Sequence, residues 1–102
     1  MNLERKTDMN TVVVTMTLDA DRSDEVDRHL REDVAAWARR QPGFVSGQWL
    51  RLASGDQGLG VVVFESEKYA NAVADGPRSQ PWVDGRAWNI ESVAVFEVVT
   101  SA

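Results

Sequence analysis

The stretch Gln41-Pro42-Gly43-Phe44-Val45-Ser46-Gly47-Gln48-Trp49-Leu50 marks the end of a helix and the start of a strand. Upstream of it, from Ser23 to about Arg40, apolar residues recur with the spacing of one buried helix face. Downstream, Phe44 to Leu52 is predicted to form a strand. Proline cannot continue a helix and glycine permits a sharp exit, so Pro42 and Gly43 separate the two elements.

Patterns on either side of this junction predict three more strands and a second helix. The strands are Thr11 to Leu18, Leu59 to Phe64 and Ile90 to Val99. Ser66 is a suitable N-cap for the second helix, which Gly76-Pro77 is expected to end. Residues 76 to 88 are predicted to form a long loop.

The order strand, helix, strand, strand, helix, strand predicts an α+β, ferredoxin-like βαββαβ fold. Such a fold has a four-stranded antiparallel sheet with both helices on one face. The second face of the predicted sheet carries valine, threonine and tryptophan. A bare apolar face would exceed the usual patch size of a monomer, so a second copy is expected to cover it.

Composition limits the classes of function. The chain has 102 residues, which suits one domain, predicted over residues 10–102 after a flexible N-terminal tail of residues 1–9. The net charge is −5 and the basic residues are scattered, which argues against nucleic acid as a partner. Cysteine is absent, and no apolar run approaches the length of a membrane span. Without a signal-peptide pattern, we expect a cytoplasmic protein.

Three short motifs resemble the antibiotic-biosynthesis-monooxygenase-like domains of the dimeric α/β-barrel superfamily. They are Pro42-Gly43-Phe44-Val45-Ser46-Gly47, Val63-Phe64-Glu65-Ser66 and Phe96-Glu97-Val98, and the resemblance covers roughly residues 10–100. It implies a homodimer whose two sheets pack into a barrel. It also implies a small-molecule pocket in each subunit, between the sheet and the helices.

The resemblance also indicates which activities to consider. Such domains include cofactor-free oxygenases of polyketide-like aromatics, heme-degrading oxygenases and small-molecule isomerases. The heme-degrading branch carries an Asn on the first strand, as Asn10 is here, and a Trp and a His on or after the second helix. Trp82 or Trp88 supplies the tryptophan, but no histidine follows His29. Heme degradation is therefore disfavoured, and no cofactor is predicted.

The predicted catalytic residues are His29, Asn71 and Arg86. Asn71 would polarise a ligand carbonyl and Arg86 would hold an anionic or enolate oxygen of the substrate, with an exposed surface position as the alternative for each. Histidine is the side chain that most readily exchanges a proton near neutral pH, and Asp33 lies one helical turn beyond His29, where it can orient the imidazole. The alternative is a surface pair at the edge of the core. The resemblance adds that the quinone-forming branch surrounds its pocket with Asn, Trp, Tyr and Arg side chains, types supplied here by Asn71, Tyr69, Trp82, Trp88 and Arg86.

Four tryptophans are many for this length. Trp37 lies on the buried helix face and is predicted to be core. The period of two places Trp49 on the strand face opposite Phe44, at the dimer interface or, as the alternative, in the pocket. Trp82 and Trp88, with Tyr69, are predicted to bind an aromatic substrate by stacking. Their alternative role is to plug the open end of the domain.

No metal site is predicted. The acidic cluster after the first strand lacks the Gly and the final Glu of a calcium loop. The function that fits these features best is a small cofactor-independent monooxygenase acting on an aromatic or polyketide-like molecule. The alternative is a non-catalytic, dimeric module that binds a small ligand or serves as a stress-related accessory protein. Isomerase or lyase chemistry is a weaker third option.

Overall fold

The computed structural model describes residues 8–102 and contains one antiparallel sheet of four strands with helices on one face. In chain order the elements are β1 (Asn10–Leu18), a 3-10 turn (Ala20–Arg22), α1 (Ser23–His29), a π-helical turn (Leu30–Val34), α2 (Ala35–Arg39), β2 (Phe44–Arg51), β3 (Gln57–Phe64), α3 (Glu67–Arg78) and β4 (Trp88–Glu97). The predicted α+β, ferredoxin-like fold is confirmed. Most of the predicted tail, residues 1–7, lies outside the described residues.

The strands lie in the order β2-β3-β1-β4, so β3 and β1 form the middle of the sheet. On the face towards the helices, Val12, Val62 and Phe64 are buried. The opposite face is open in the single chain: Leu59 is 38% exposed and Phe96 is 56% exposed. The alternation of buried and exposed residues along β3 follows the period of two expected of a strand with one covered face.

A bulge at Val45 changes which face of the sheet the following side chains of β2 lie on. Phe44 pairs with Phe64 and Ser46 with Val63, so Val45 has no partner residue in the register. An extra residue in one strand reverses the alternation beyond it. Phe44 and Trp49 therefore both face the helices, and the prediction that they lie on opposite faces is wrong.

The first helical segment runs over the predicted residues but includes the π-helical turn Leu30–Val34. A π turn holds one more residue than an α turn and so rotates the side chains that follow it about the helix axis. Trp37 was predicted to be core, yet it is 38% exposed and lies at the edge of a cavity. Within residues 8–102, no helix is long and apolar enough to cross a membrane.

The junction between helix and strand depends on Gly43. Its φ of +78° belongs to the left-handed region that glycine favours. A Cβ at this position would collide with the ring of Tyr69 in α3. The carbonyl of Gly43 also accepts a hydrogen bond of 2.8 Å from the amide of Glu65, which follows β3. The junction thus ties β2, β3 and α3 together at one end of the sheet.

The segment after the second helix is shorter than predicted. Gly76 and Pro77 lie inside α3, which continues to Arg78, and β4 already begins at Trp88. Pro77 has no amide hydrogen to donate within the helix, and α3 ends one residue later, where the backbone amide of Ser79 donates to the Asp75 carbonyl at 3.2 Å. The irregular segment is therefore residues 79–87, and Trp88 is a strand residue.

Candidate functional site

A cavity of about 440 Å³ lies between the helix-facing side of the sheet and the helices. Its floor is apolar and comes from the sheet, including Val14, Met16 and Ile90. Trp37, Trp49 and Trp88 line it from three different elements, and we call it the Trp pocket. The volume is in the range of small-ligand sites, and so is the combination of an apolar lining with few polar groups.

The Trp pocket exists because the core is divided. One buried cluster contains Phe64, Ala70 and Ala74, under α3, and the other contains Met16, Leu18 and Val26, under α1. Two partly buried residues, Val14 and Trp49, pack against both clusters. The space between the clusters is the cavity.

Trp49 lies flat on the sheet because two glycines leave room for its ring. A Cβ on Gly60, the residue paired with Trp49 on β3, would stand 3.0 Å from the indole Nε1. A Cβ on Gly47 would stand 2.9 Å from the far edge of the same ring. Trp49 therefore faces the helices and lines the cavity, away from the open face of the sheet on which the predicted dimer would form.

His29 is at the rim of the Trp pocket, where α1 passes into the π-helical turn. Its Nδ1 lies 3.0 Å from the Oδ2 of Asp33, as the i, i+4 spacing predicted. The imidazole also stacks on the indole of Trp88, with 4.3 Å between ring centroids and 11° between planes. A hydrogen-bond partner and a stacked ring together hold the imidazole in one orientation.

Behind Trp88, Arg86 and the buried Asn89 order the segment that precedes β4. The guanidinium of Arg86 lies 3.9 Å from the centroid of the Trp88 ring. It donates to the carbonyl of Trp88 at 2.8 Å and to Oδ1 of Asn89 at 2.9 Å. Asn89 also accepts from the amide of Val83 at 2.9 Å and donates to the Val83 carbonyl at 3.0 Å. The chain of contacts runs from Asn89 through Arg86 and Trp88 to His29.

The structure brings some of the predicted site residues together and separates others. His29 and Trp88 meet at the Trp pocket, and Arg86 lies against Trp88. Asn71 is exposed on α3, and Trp82 is 56% exposed with its Nε1 donating to Asp84 at 3.1 Å. Tyr69 packs against Gly43 and does not line the cavity. The functional roles of all of these residues stay predictions.

Three contributors to this site were missed by the sequence analysis. Trp37 was placed in the core, the π-helical turn has no simple pattern, and Asn89 fell between the predicted loop and the predicted last strand. Asn89 is the second residue of β4, and its burial depends on the fold of residues 79–87, so no local pattern indicates it.

The acidic cluster after β1 forms local structure. Asp19 accepts a hydrogen bond from the amide of Asp21 at 3.0 Å, and Glu25 receives two hydrogen bonds from Arg22. In the part of the chain that the structure describes, no three His, Cys, Asp or Glu residues are grouped so that they could hold a metal ion.

Solved structures resemble this chain at the level of the whole domain. The heme degrader MhuD from Mycobacterium tuberculosis, with two hemes bound in its active site, is 23% identical with a TM-score of 0.68, over 91% of this chain and 98% of that one. A heme-free, cleaved form of the heme-degrading protein of the same organism is 25% identical with a TM-score of 0.63, over 92% and 96%.

A third similar structure is the monooxygenase ActVA-Orf6 of Streptomyces coelicolor in complex with nanaomycin D. It is 18% identical with a TM-score of 0.60, over 99% of this chain and 95% of that one. No protein-family model and no curated protein sequence matches the chain. The resemblance to antibiotic-biosynthesis-monooxygenase-like domains is confirmed in the fold.

Replacing Asn89 by Ala should lower the free energy of unfolding by about 1–2 kcal/mol, because Val83 and Arg86 lose their shared hydrogen-bond partner in a partly buried place. Urea unfolding measures the change. Asn71→Ala is the matched control: Asn71 is exposed, so its loss should change stability by less than about 0.5 kcal/mol. Equal effects of the two substitutions would contradict the described role of Asn89.

Proposed function

We propose that this chain, which has the fold of the antibiotic-biosynthesis-monooxygenase-like domains, is a small cofactor-independent monooxygenase-like protein that acts on an aromatic or polyketide-like molecule. The observation that carries the proposal is the Trp pocket with the His29–Asp33 pair at its rim. Three indoles suit the faces of a fused aromatic ligand. A similar fold in a monooxygenase structure that contains nanaomycin D supports the same reading.

His29 is the proposed base. Because the Asp33 carboxylate only accepts hydrogen bonds when ionised, we assign the proton of the neutral imidazole to Nδ1. Nε2 is then the nitrogen with a free lone pair, and it takes the proton of a phenol or of an activated CH₂ group. Asp33 stabilises the imidazolium that results, and the stacked Trp88 fixes the plane of the ring.

The substrate supplies the electrons in this proposal. A substrate anion that is delocalised over an aromatic system reacts with O₂ directly. For an anthrone, the CH₂ group loses both hydrogens and gains one oxygen atom, and the other oxygen atom leaves as water. The protein has to remove the first proton, exclude bulk water and hold the anion, all of which an apolar pocket with one oriented base can do.

Heme is the cofactor to consider, since two of the similar structures are of heme-degrading proteins. Among residues 8–102, the lining of the Trp pocket contains His29 and Asp33 but no arginine or lysine that would pair with heme propionates inside it. Asn10, the residue that matched the heme-degrading pattern, is buried, donates to the carbonyl of Asp8 at 2.9 Å and does not line the pocket. The residues that line the Trp pocket itself therefore do not fit heme, which supports the cofactor-independent proposal.

The second candidate is a non-catalytic module that binds a small aromatic ligand. It is favoured by the scarcity of titratable groups at the Trp pocket, where His29 and Asp33 are the only ones that the described part of the chain contributes to the lining. The two candidates share the ligand class and differ in whether His29 moves a proton. A cytoplasmic location remains a prediction for both.

Part of the proposal is that the protein forms a homodimer through the open face of the sheet. Support comes from exposed apolar residues on that face, among them Leu50, Leu59 and Phe96. Sedimentation velocity at micromolar concentration should give the mass of two chains, and a monomer would contradict the dimer. Trp49→Phe should leave the dimer intact, since Trp49 faces the helices.

Oxygen uptake with a panel of anthrones and hydroquinones tests the enzymatic proposal. The protein should consume O₂ with at least one of them, and His29→Gln should lower kcat about 10²-fold or more because it removes the base. Asp33→Asn should reduce kcat less, since the base remains but loses its partner. Glu32→Gln is the matched control, because Glu32 is exposed and lies outside the Trp pocket.

Full activity of His29→Gln would overturn the proposed base. No O₂ uptake across the panel, together with tight aromatic binding seen as quenching of tryptophan fluorescence, would favour the binding module. Added heme should give no stable complex with a shifted Soret band, and such a complex would contradict the conclusion that the pocket does not fit heme.

A further inference from the structure

A second cavity, of about 480 Å³, lies between the first helical segment and the edge strand β2. We call it the Arg groove, because Arg31 and Arg51 line it together with Asp27. It is more polar than the Trp pocket. The proposed monooxygenase reaction gives it no role.

The Arg groove keeps an excess of positive charge. Arg51 is paired with Asp27, which joins β2 to α1 and neutralises both groups. Arg31 is exposed, and it has no hydrogen bond or ion pair with any residue of 8–102. A guanidinium with all its donors free, beside an already neutral pair, is suited to an anionic group of planar shape.

The two cavities share Leu30 and Trp49 in their linings. The indole of Trp49 reaches from one to the other. Its Nε1 end lies over Gly60. A Cβ added to Gly60 would stand 3.7 Å from the Cβ of Val14, which lies in the floor of the Trp pocket. Its far edge lies over Gly47, which lines the Arg groove. A ligand stacked on this one ring would thus extend into both cavities.

We propose that the Trp pocket and the Arg groove form one binding site, and that its ligand is an aromatic small molecule that carries a carboxylate. The aromatic part lies among the three tryptophans beside His29. The carboxylate lies in the Arg groove and is bound by Arg31. This inference rests on the proposed function and narrows its substrate class from aromatic molecules in general to aromatic acids.

A matched pair of ligands tests the inference without any turnover. Anthraquinone-2-carboxylate and 2-(hydroxymethyl)anthraquinone have the same ring system and differ in charge. Dissociation constants from tryptophan quenching or calorimetry should favour the carboxylate by about fivefold, a modest factor because Arg31 is exposed to water. Arg31→Gln should remove this preference by weakening only the carboxylate, and Asp27→Asn should increase it by freeing Arg51.

Arg28→Gln is the control, because it removes the same charge from an exposed position on the same helix that lines neither cavity. It should leave the preference unchanged. Equal affinities of the two ligands for the unmodified protein, or a preference that survives Arg31→Gln, would overturn the inference while leaving the proposed function intact. If neither ligand binds at millimolar concentration, both the inference and the proposed function fail.

Discussion

The packing of Trp49 across two glycines is the constraint on which the rest of the site depends. A side chain at Gly60 or Gly47 would occupy the space that the indole fills, and Trp49 would have to leave the surface of the sheet. With the ring lying flat, the helices cannot close onto this part of the sheet as they do over Phe64 and Leu18, which are both buried. The cavities on either side of Trp49 are the result.

Much of the fold follows from local chemistry that is visible in the sequence. The β-branched residues of β1, the Ser66 cap and the Pro42-Gly43 junction are local signals, and each produced the element expected of it. Two features changed the orientation of side chains without changing the order of elements. The bulge at Val45 and the π-helical turn at Leu30–Val34 each add one residue, and this moved Trp49 and Trp37 to positions that a regular period does not predict.

The candidate site could be predicted only where its contacts are local. The pair of His29 and Asp33 follows from helical spacing, and the structure contains it. The stack of His29 on Trp88 joins residues that are far apart in the chain. It depends on where β4 begins and on how the first helical segment lies relative to β4. For the same reason Trp82 and Trp88, which look equivalent in the sequence, are in different surroundings: one is exposed, and the other is at the pocket.

The proposed aromatic ligand binds between the helices and the sheet, among Trp37, Trp49 and Trp88. The most direct test of this binding is an NMR titration that follows the indole N–H resonances of the four tryptophans, assigned by single Trp→Phe variants, as 2-(hydroxymethyl)anthraquinone is added. Ring-current shifts are expected for the resonances of Trp37, Trp49 and Trp88, while the resonance of Trp82, which is 56% exposed and outside the cavity, should not move. A shift of Trp82 alone, or of no resonance at saturating ligand, would contradict this binding.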